Sequence, residues 1–113
     1  MSSNKFIAPG FAIKLAEMSL KFRMDYPESQ RPMTSTGVRR AKQIINKKPF
    51  SYKDLIDTRS YLIRAKYYYK PSKRDSRNRY TKGTISYWSW GGESNNKMLR
   101  WVEDRLEDLG YFD

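Results

Sequence analysis

Apolar residues recur along this chain at three- and four-residue intervals, the helical period, and each run stops at proline or glycine. Phe11, Leu15, Met18 and Phe22 share a face with Ala12 and Ala16 beside them, which predicts a helix from about Pro9 to Met24. Tyr26-Pro27 ends it, because a residue before proline is pushed out of the helical region. Pro27 to Ser35 reads as a surface loop. Val38, Ala41, Ile44 and Ile45 predict a second helix from Gly37 to about Lys47, with Thr36, Ser35 or Thr34 as N-cap and Pro49 as the stop. Leu55, Leu62 and Ala65 predict a third, from Tyr52 to about Tyr69, closed by Pro71. Ser51 with Asp54 three residues on has the spacing of a capping box, Asp standing where Glu is usual. Met98, Val102, Leu106 and Leu109 form the stripe of a last helix spanning Glu93 to Leu109, with Gly110 as its natural C-cap.

One segment does not follow the amphipathic pattern. Thr84 to Gly92 carries no charge, three large aromatics and two glycines. Its alternation of Ile85 and Tyr87 with Ser86 and Trp88 fits a strand, but a lone strand has nothing to pair with, so a short buried helix ended by Gly91-Gly92 is preferred. Trp88 and Trp90 are expected in the core. Tyr67, Tyr68 and Tyr69 cannot all face one core, so at least one is expected at the surface, where base stacking is an alternative to amphipathic packing. The sum is an all-α single domain, residues 1–113, of four to five helices. It has a lead-in over 1–8, a helix-turn-helix-like pair with a tight corner, and a basic loop over 70–83. At this length roughly 65% of the extended chain's surface is buried on folding, enough for one modest core.

Charge changes the picture more than hydropathy does. The formal net charge is +11, and Gly37 to Lys82 holds fifteen of the twenty-three Lys and Arg residues against three acids, Asp54, Asp57 and Asp75. Such a concentration selects a polyanionic partner, nucleic acid ahead of an anionic membrane surface. The acidic counterweight is the C-terminal helix. Six acids face three basic residues over positions 93–113, read as a solvated face in preference to internal pairing with the basic stretch.

Cysteine and histidine are both absent. Disulfides, thiolate and imidazole metal sites, thiol nucleophiles and the commonest neutral-pH acid–base group go with them. No phosphate-cradling glycine loop is present, so no cofactor is expected. A metal-dependent nuclease built on carboxylates alone needs neither residue type, but the acids show no motif, and the chain is read as non-enzymatic. No apolar stretch reaches membrane-spanning length and Met1 to Ile13 lacks the features of a signal peptide, so a cytosolic protein without a membrane partner is expected.

Three groups of basic side chains are the candidate phosphate contacts. Arg39, Arg40 and Lys42 lie on the second helix, with Lys47 and Lys48 at the corner. Lys53, Arg59, Arg64 and Lys66 lie on the third. The loop supplies Lys70, Lys73, Arg74, Arg77, Arg79 and Lys82, suited to a minor groove or a backbone track if the loop is not simply a disordered connector. Nothing among them specifies a base sequence.

Thr36-Gly37-Val38-Arg39-Arg40-Ala41-Lys42-Gln43-Ile44, then Ser51 and Arg59-Ser60-Tyr61-Leu62, then Gly83 to Gly92 ending in Trp90-Gly91-Gly92, together resemble a small module that recurs in tailed-bacteriophage proteins. In that module a G-x-R-R-A-x-Q-L helix is followed by an S-x-x-T-V-x-R-M helix and an aromatic segment ending in W-G-G-D-A-G. The resemblance covers about Thr36 to Trp101. It departs where the module carries an Arg-His pair, here Arg64-Ala65-Lys66, and where D-A-G becomes Glu93-Ser94-Asn95. It implies a phage origin and a compact helical fold, and no role tied to the missing histidine carries over. The resulting expectation is a phage-encoded protein of the host cytoplasm that binds nucleic acid through phosphates, DNA in preference to RNA. The alternative is a virion or assembly protein, or a host-takeover factor, whose basic surface docks an acidic phage or host protein.

Overall fold

Thr34, Ser51 and Thr81 each turn the chain into a helix by accepting the backbone N–H three residues on, from Gly37 (3.1 Å), Asp54 (3.1 Å) and Thr84 (3.2 Å). Asp54 completes a reciprocal box by accepting the Ser51 N–H at 2.9 Å. The computed structural model describes residues 4–113, in which five α-helices follow one another: α1 Gly10–Phe22, α2 Ser35–Ile45, α3 Tyr52–Ala65, α4 Lys82–Ser89 and α5 Lys97–Asp108. Among the described residues the only extended pairing is an isolated antiparallel bridge between Arg74 and Tyr80. The uncharged Thr84–Ser89 segment is helical. The predicted first and third helices run on past the α-helical part as single 3-10 turns, Arg23–Asp25 and Lys66–Tyr68.

Three helices end on a left-handed residue that closes the terminus with two backbone bonds. Gly91 (φ 79°) donates to Trp88 O and Gly92 to Tyr87 O, and Gly110 (φ 79°) with Tyr111 does the same for α5. At the end of α2 the left-handed place is held by Lys47, φ 56°, its N–H on Ile44 O and that of Lys48 on Gln43 O. A side chain there costs about 1–2 kcal/mol relative to glycine. Lys47→Gly is therefore expected to stabilise the domain by about 1 kcal/mol in urea denaturation. An unchanged midpoint would mean that the lysine side chain contributes an offsetting contact.

The deepest face of α1 consists of its small residues. Ala12, Ala16 and Ser19 are fully buried, while Phe11, Leu15, Met18 and Phe22 are half-buried. The sequence expectation centred on the large residues. Small ones win the centre because α1 packs against both α2 and α4, and only short side chains let two backbones approach one helix. Helix α3 packs on α5, through Leu55, Thr58 and Leu62 on one side and Met98, Val102 and Leu106 on the other, all buried.

Tyr87 of α4 joins the two halves: its ring stacks on Tyr69 at 4.7 Å and its hydroxyl donates to Leu62 O at 3.4 Å. Trp88 and Trp90 are buried, as the uncharged segment predicts, and Trp88 Nε1 donates to the Tyr69 hydroxyl at 3.0 Å. Tyr67 and Tyr68 are exposed. Part of the lead-in also belongs to the core. Ala8 is buried, Phe6 O accepts the Phe50 N–H at 2.8 Å, and Lys5 pairs with Asp108 at 2.9 Å. Met1 to Ser3 lie outside the described residues.

Candidate nucleic-acid interface

Consecutive helices α2 and α3 meet at the tight corner expected of a helix-turn-helix-like pair, yet each packs elsewhere, α2 on α1 and α3 on α5. The space between them is an open groove of about 690 Å³. Arg39 and Lys42 line it from α2, Lys48 from the corner and Lys53 from α3, and all four are exposed. Their convergence follows from helical spacing: Arg39 and Lys42 are three apart on the face opposite Ala41 and Ile44, so burying the alanine and isoleucine turns the cations outward.

The groove floor is a closed polar network. Arg40 Nη1 lies 3.0 Å from Asp54 Oδ1 and also donates to Gln43 Oε1. Gln43 Nε2 in turn donates to Asp54 Oδ2 at 3.0 Å and to Pro49 O at 3.1 Å, tying α2 to the corner. The Arg40 guanidinium sits over the Trp90 ring at 5.0 Å and the Phe50 ring at 5.4 Å. Burial by itself raises the Asp54 pKa. The Ser51 amide, Arg40 and Gln43 outweigh it and hold the carboxyl at about 2. Arg40, a candidate phosphate contact by sequence, is only 7% exposed and committed to Asp54. Its place is beneath the binding surface.

Of the fifteen candidate side chains, twelve are exposed. Arg40 is buried, and Arg59 and Arg79 are half-buried. Arg59 pairs with Glu103 of α5 at 2.9 Å and lies over Phe112 at 5.3 Å. The internal pairing weighed against a solvated C-terminal face therefore exists at this one point of the basic stretch, while Asp104 and Glu107 are exposed. Lys47 and Lys66 are exposed at helix ends, and Arg64 opens onto a second cleft rather than the groove.

The basic loop is organised around its single acid. Asp75 Oδ1 accepts the Arg77 and Arg79 N–H groups at 2.9 Å, and Oδ2 takes Arg79 Nε at 2.8 Å. The Arg79 backbone N–H is the largest influence holding the Asp75 carboxyl below its ordinary pKa. Arg74 stacks on Tyr80 at 3.6 Å and Arg79 on Tyr26 at 3.9 Å, and the Tyr26 hydroxyl donates to Tyr80 O at 2.9 Å. Like charges are thus held apart by one carboxylate and two rings. Lys70, Lys73 and Arg77 remain outward, and Lys82 is exposed in the first turn of α4 instead of in the loop.

Sequence reasoning missed Gln43 and Tyr26. Gln43 has a local signal, since it sits three residues after Arg40 on the same face, whereas Tyr26 reaches the loop from 49 residues away and has none. Among the described residues no group of three or more acidic side chains is placed to hold a metal ion, and no helix is long and apolar enough to cross a membrane. No protein-family model, curated protein or solved structure matches the chain. Fold and surface therefore define an all-α single domain of five helices with a cationic groove between its second and third.

Proposed function

We propose that this is a phage-encoded, non-enzymatic nucleic-acid-binding protein of the host cytoplasm that grips phosphates in the α2–α3 groove, DNA in preference to RNA. The observation that carries this reading is the convergence of Arg39, Lys42, Lys48 and Lys53 on one groove whose principal acid, Asp54, is consumed internally by Arg40 and Gln43. Exposed cations around a concave wall are what a phosphate backbone requires. The nearby Asp57 is paired with Lys53 at 2.7 Å, an exposed contact that a phosphate can displace. Lys70, Lys73 and Arg77 extend the contact if a strand runs past the loop.

The test is a salt titration of binding to duplex DNA, single-stranded DNA and RNA. Four phosphate contacts give a slope of about −3.6 for duplex DNA, a loss of about 150-fold between 50 and 200 mM salt. Reversing two of the groove charges, Lys42→Glu with Lys48→Glu, is expected to lower that slope by about 1.8, and Arg77→Glu tests the loop separately. A response flat in salt would remove nucleic acid as the partner and leave the groove to an acidic protein surface.

A further inference from the structure

Beside the phosphate groove lies a second cleft of about 380 Å³, bounded by α2, α3 and α4 and sharing Thr36 and Asp57 with the groove. Its volume falls at the small end of ligand pockets, which run about 300–1,000 Å³. Its wall is aromatic: Tyr61 and Trp90 stack with ring centroids 4.5 Å apart and planes 12° from parallel.

Three hydrogen-bond donors in this cleft have no acceptor among the described residues. Trp90 is only 7% exposed, and its indole N–H, unlike that of Trp88, donates to nothing. The chain does enclose orphaned polar atoms, Arg40 Nε and Thr58 Oγ1 among them. The Trp90 N–H is not one of these, because it opens onto the cleft. Gly37 lies beside it, where a Cβ would come into ordinary contact at 3.7 Å from Trp90 Nε1. The Tyr61 hydroxyl is the second donor, and burial pushes its pKa up to about 12, so it keeps its proton. The third is Arg64, exposed at the rim, whose described partner is the Tyr61 ring at 5.8 Å.

A donor that opens onto a cleft can exchange its water for an acceptor that a ligand supplies. An aromatic-walled cleft with several such donors and a guanidinium at its mouth suits a flat, acceptor-rich heterocycle. A bare phosphate or carboxylate suits the neighbouring groove better, where the cations are. We infer that this cleft receives one unpaired base of a strand whose phosphates lie in the groove, so that the protein reads single-stranded nucleic acid. The inference rests on the phosphate reading above and sharpens it. A base presents ring nitrogens and carbonyl oxygens to the Trp90 and Tyr61 donors while Arg64 covers its face, the manner in which extruded bases are held. A base within a duplex has neither edge nor face free to enter.

The experiment compares a ten-nucleotide oligothymidylate with a duplex of the same length, by fluorescence anisotropy and by the indole N–H resonance of Trp90 in 15N-labelled protein. The single strand is expected to bind about 5- to 150-fold more tightly than the duplex, the range that stacking of one base supplies. It should also shift the Trp90 resonance, and the duplex should not. Ser60→Phe, at an exposed α3 position lining the cleft, should abolish the single-strand advantage and leave duplex affinity and its salt slope unchanged. Equal affinities without a Trp90 shift would overturn the base cleft while salt-dependent duplex binding left the groove reading standing. A Trp90 shift reproduced by inorganic phosphate alone would overturn it in favour of an anion. Absence of binding to either nucleic acid would overturn both readings.

Discussion

Asp54→Ala is expected to cost the domain about 3–5 kcal/mol, because it strands a buried guanidinium without its counter-charge. The Arg40 side chain is 8% exposed, and in this variant Gln43 Oε1 would be the one oxygen left to it. The same change removes half of the capping box that starts α3 and one of the two acceptors of Gln43 Nε2. Urea denaturation measures the loss. A companion variant separates charge from packing: replacing Arg40 by Met in the Asp54→Ala background is expected to recover much of the stability, since removing both members of a buried pair costs far less than removing one. A loss below about 1 kcal/mol for Asp54→Ala would mean that water already solvates Arg40.

The same carboxylate fixes a pH dependence. Its pKa is about 2 in the folded chain against 3.8 ordinarily, so the folded state favours the ionised form. That contribution is fully present above the ordinary value and is lost as pH falls through about 2. Acid titration of the folded protein should therefore show stability declining between pH 4 and 2, with that step weakened in Asp54→Ala.

Gly92→Ala is expected to be at least as damaging, about 3 kcal/mol or more, with the loss read as a fall in thermal midpoint. A Cβ at this position would stand 2.5 Å from Cδ2 and Cε2 of the Tyr87 ring. That ring cannot retreat. It is 1% exposed, stacked on Tyr69, and tied by its hydroxyl to α3. Gly10→Ala is the matched control, since a Cβ there meets nothing within 4 Å, and its midpoint should stay close to that of the parent chain. If both variants melted alike, Tyr87 would not be the fixed joint described above. The clash also supplies a physical reason for the second glycine of the Trp-Gly-Gly element: the first closes α4 in the left-handed region, and the second makes room for an aromatic ring.

Local chemistry was legible in the sequence. Ser51 and Asp54 announced their box by spacing, Pro49 marked the corner after α2, and the uncharged Thr84–Ser89 run declared its burial. Neighbour relations were not. The central role of Ala12 and Ala16 depends on α1 being clasped from two sides, and no periodicity within α1 reveals that. The basic residues of the groove were named, but their separation into an outer set and a buried Arg40 was invisible, since Arg39 and Arg40 are the same residue type one position apart. What divides them is a 100° step around the helix, which carries one to solvent and the other over Trp90 and Phe50. The loop looked repulsive because its pairing rings, Tyr26 and Tyr80, and its one acid act through space.

The clasp on α1 has a consequence for how the chain is made. About 60 residues separate the end of α1 at Phe22 from the start of α4 at Lys82. At about 5–20 residues per second, a ribosome takes several seconds to deliver that partner. Through that interval the nascent α1 can cover only the side that meets α2, and the cationic middle of the polypeptide emerges before the core can shut. Closure of the α1 clasp therefore waits until α4 has left the exit tunnel.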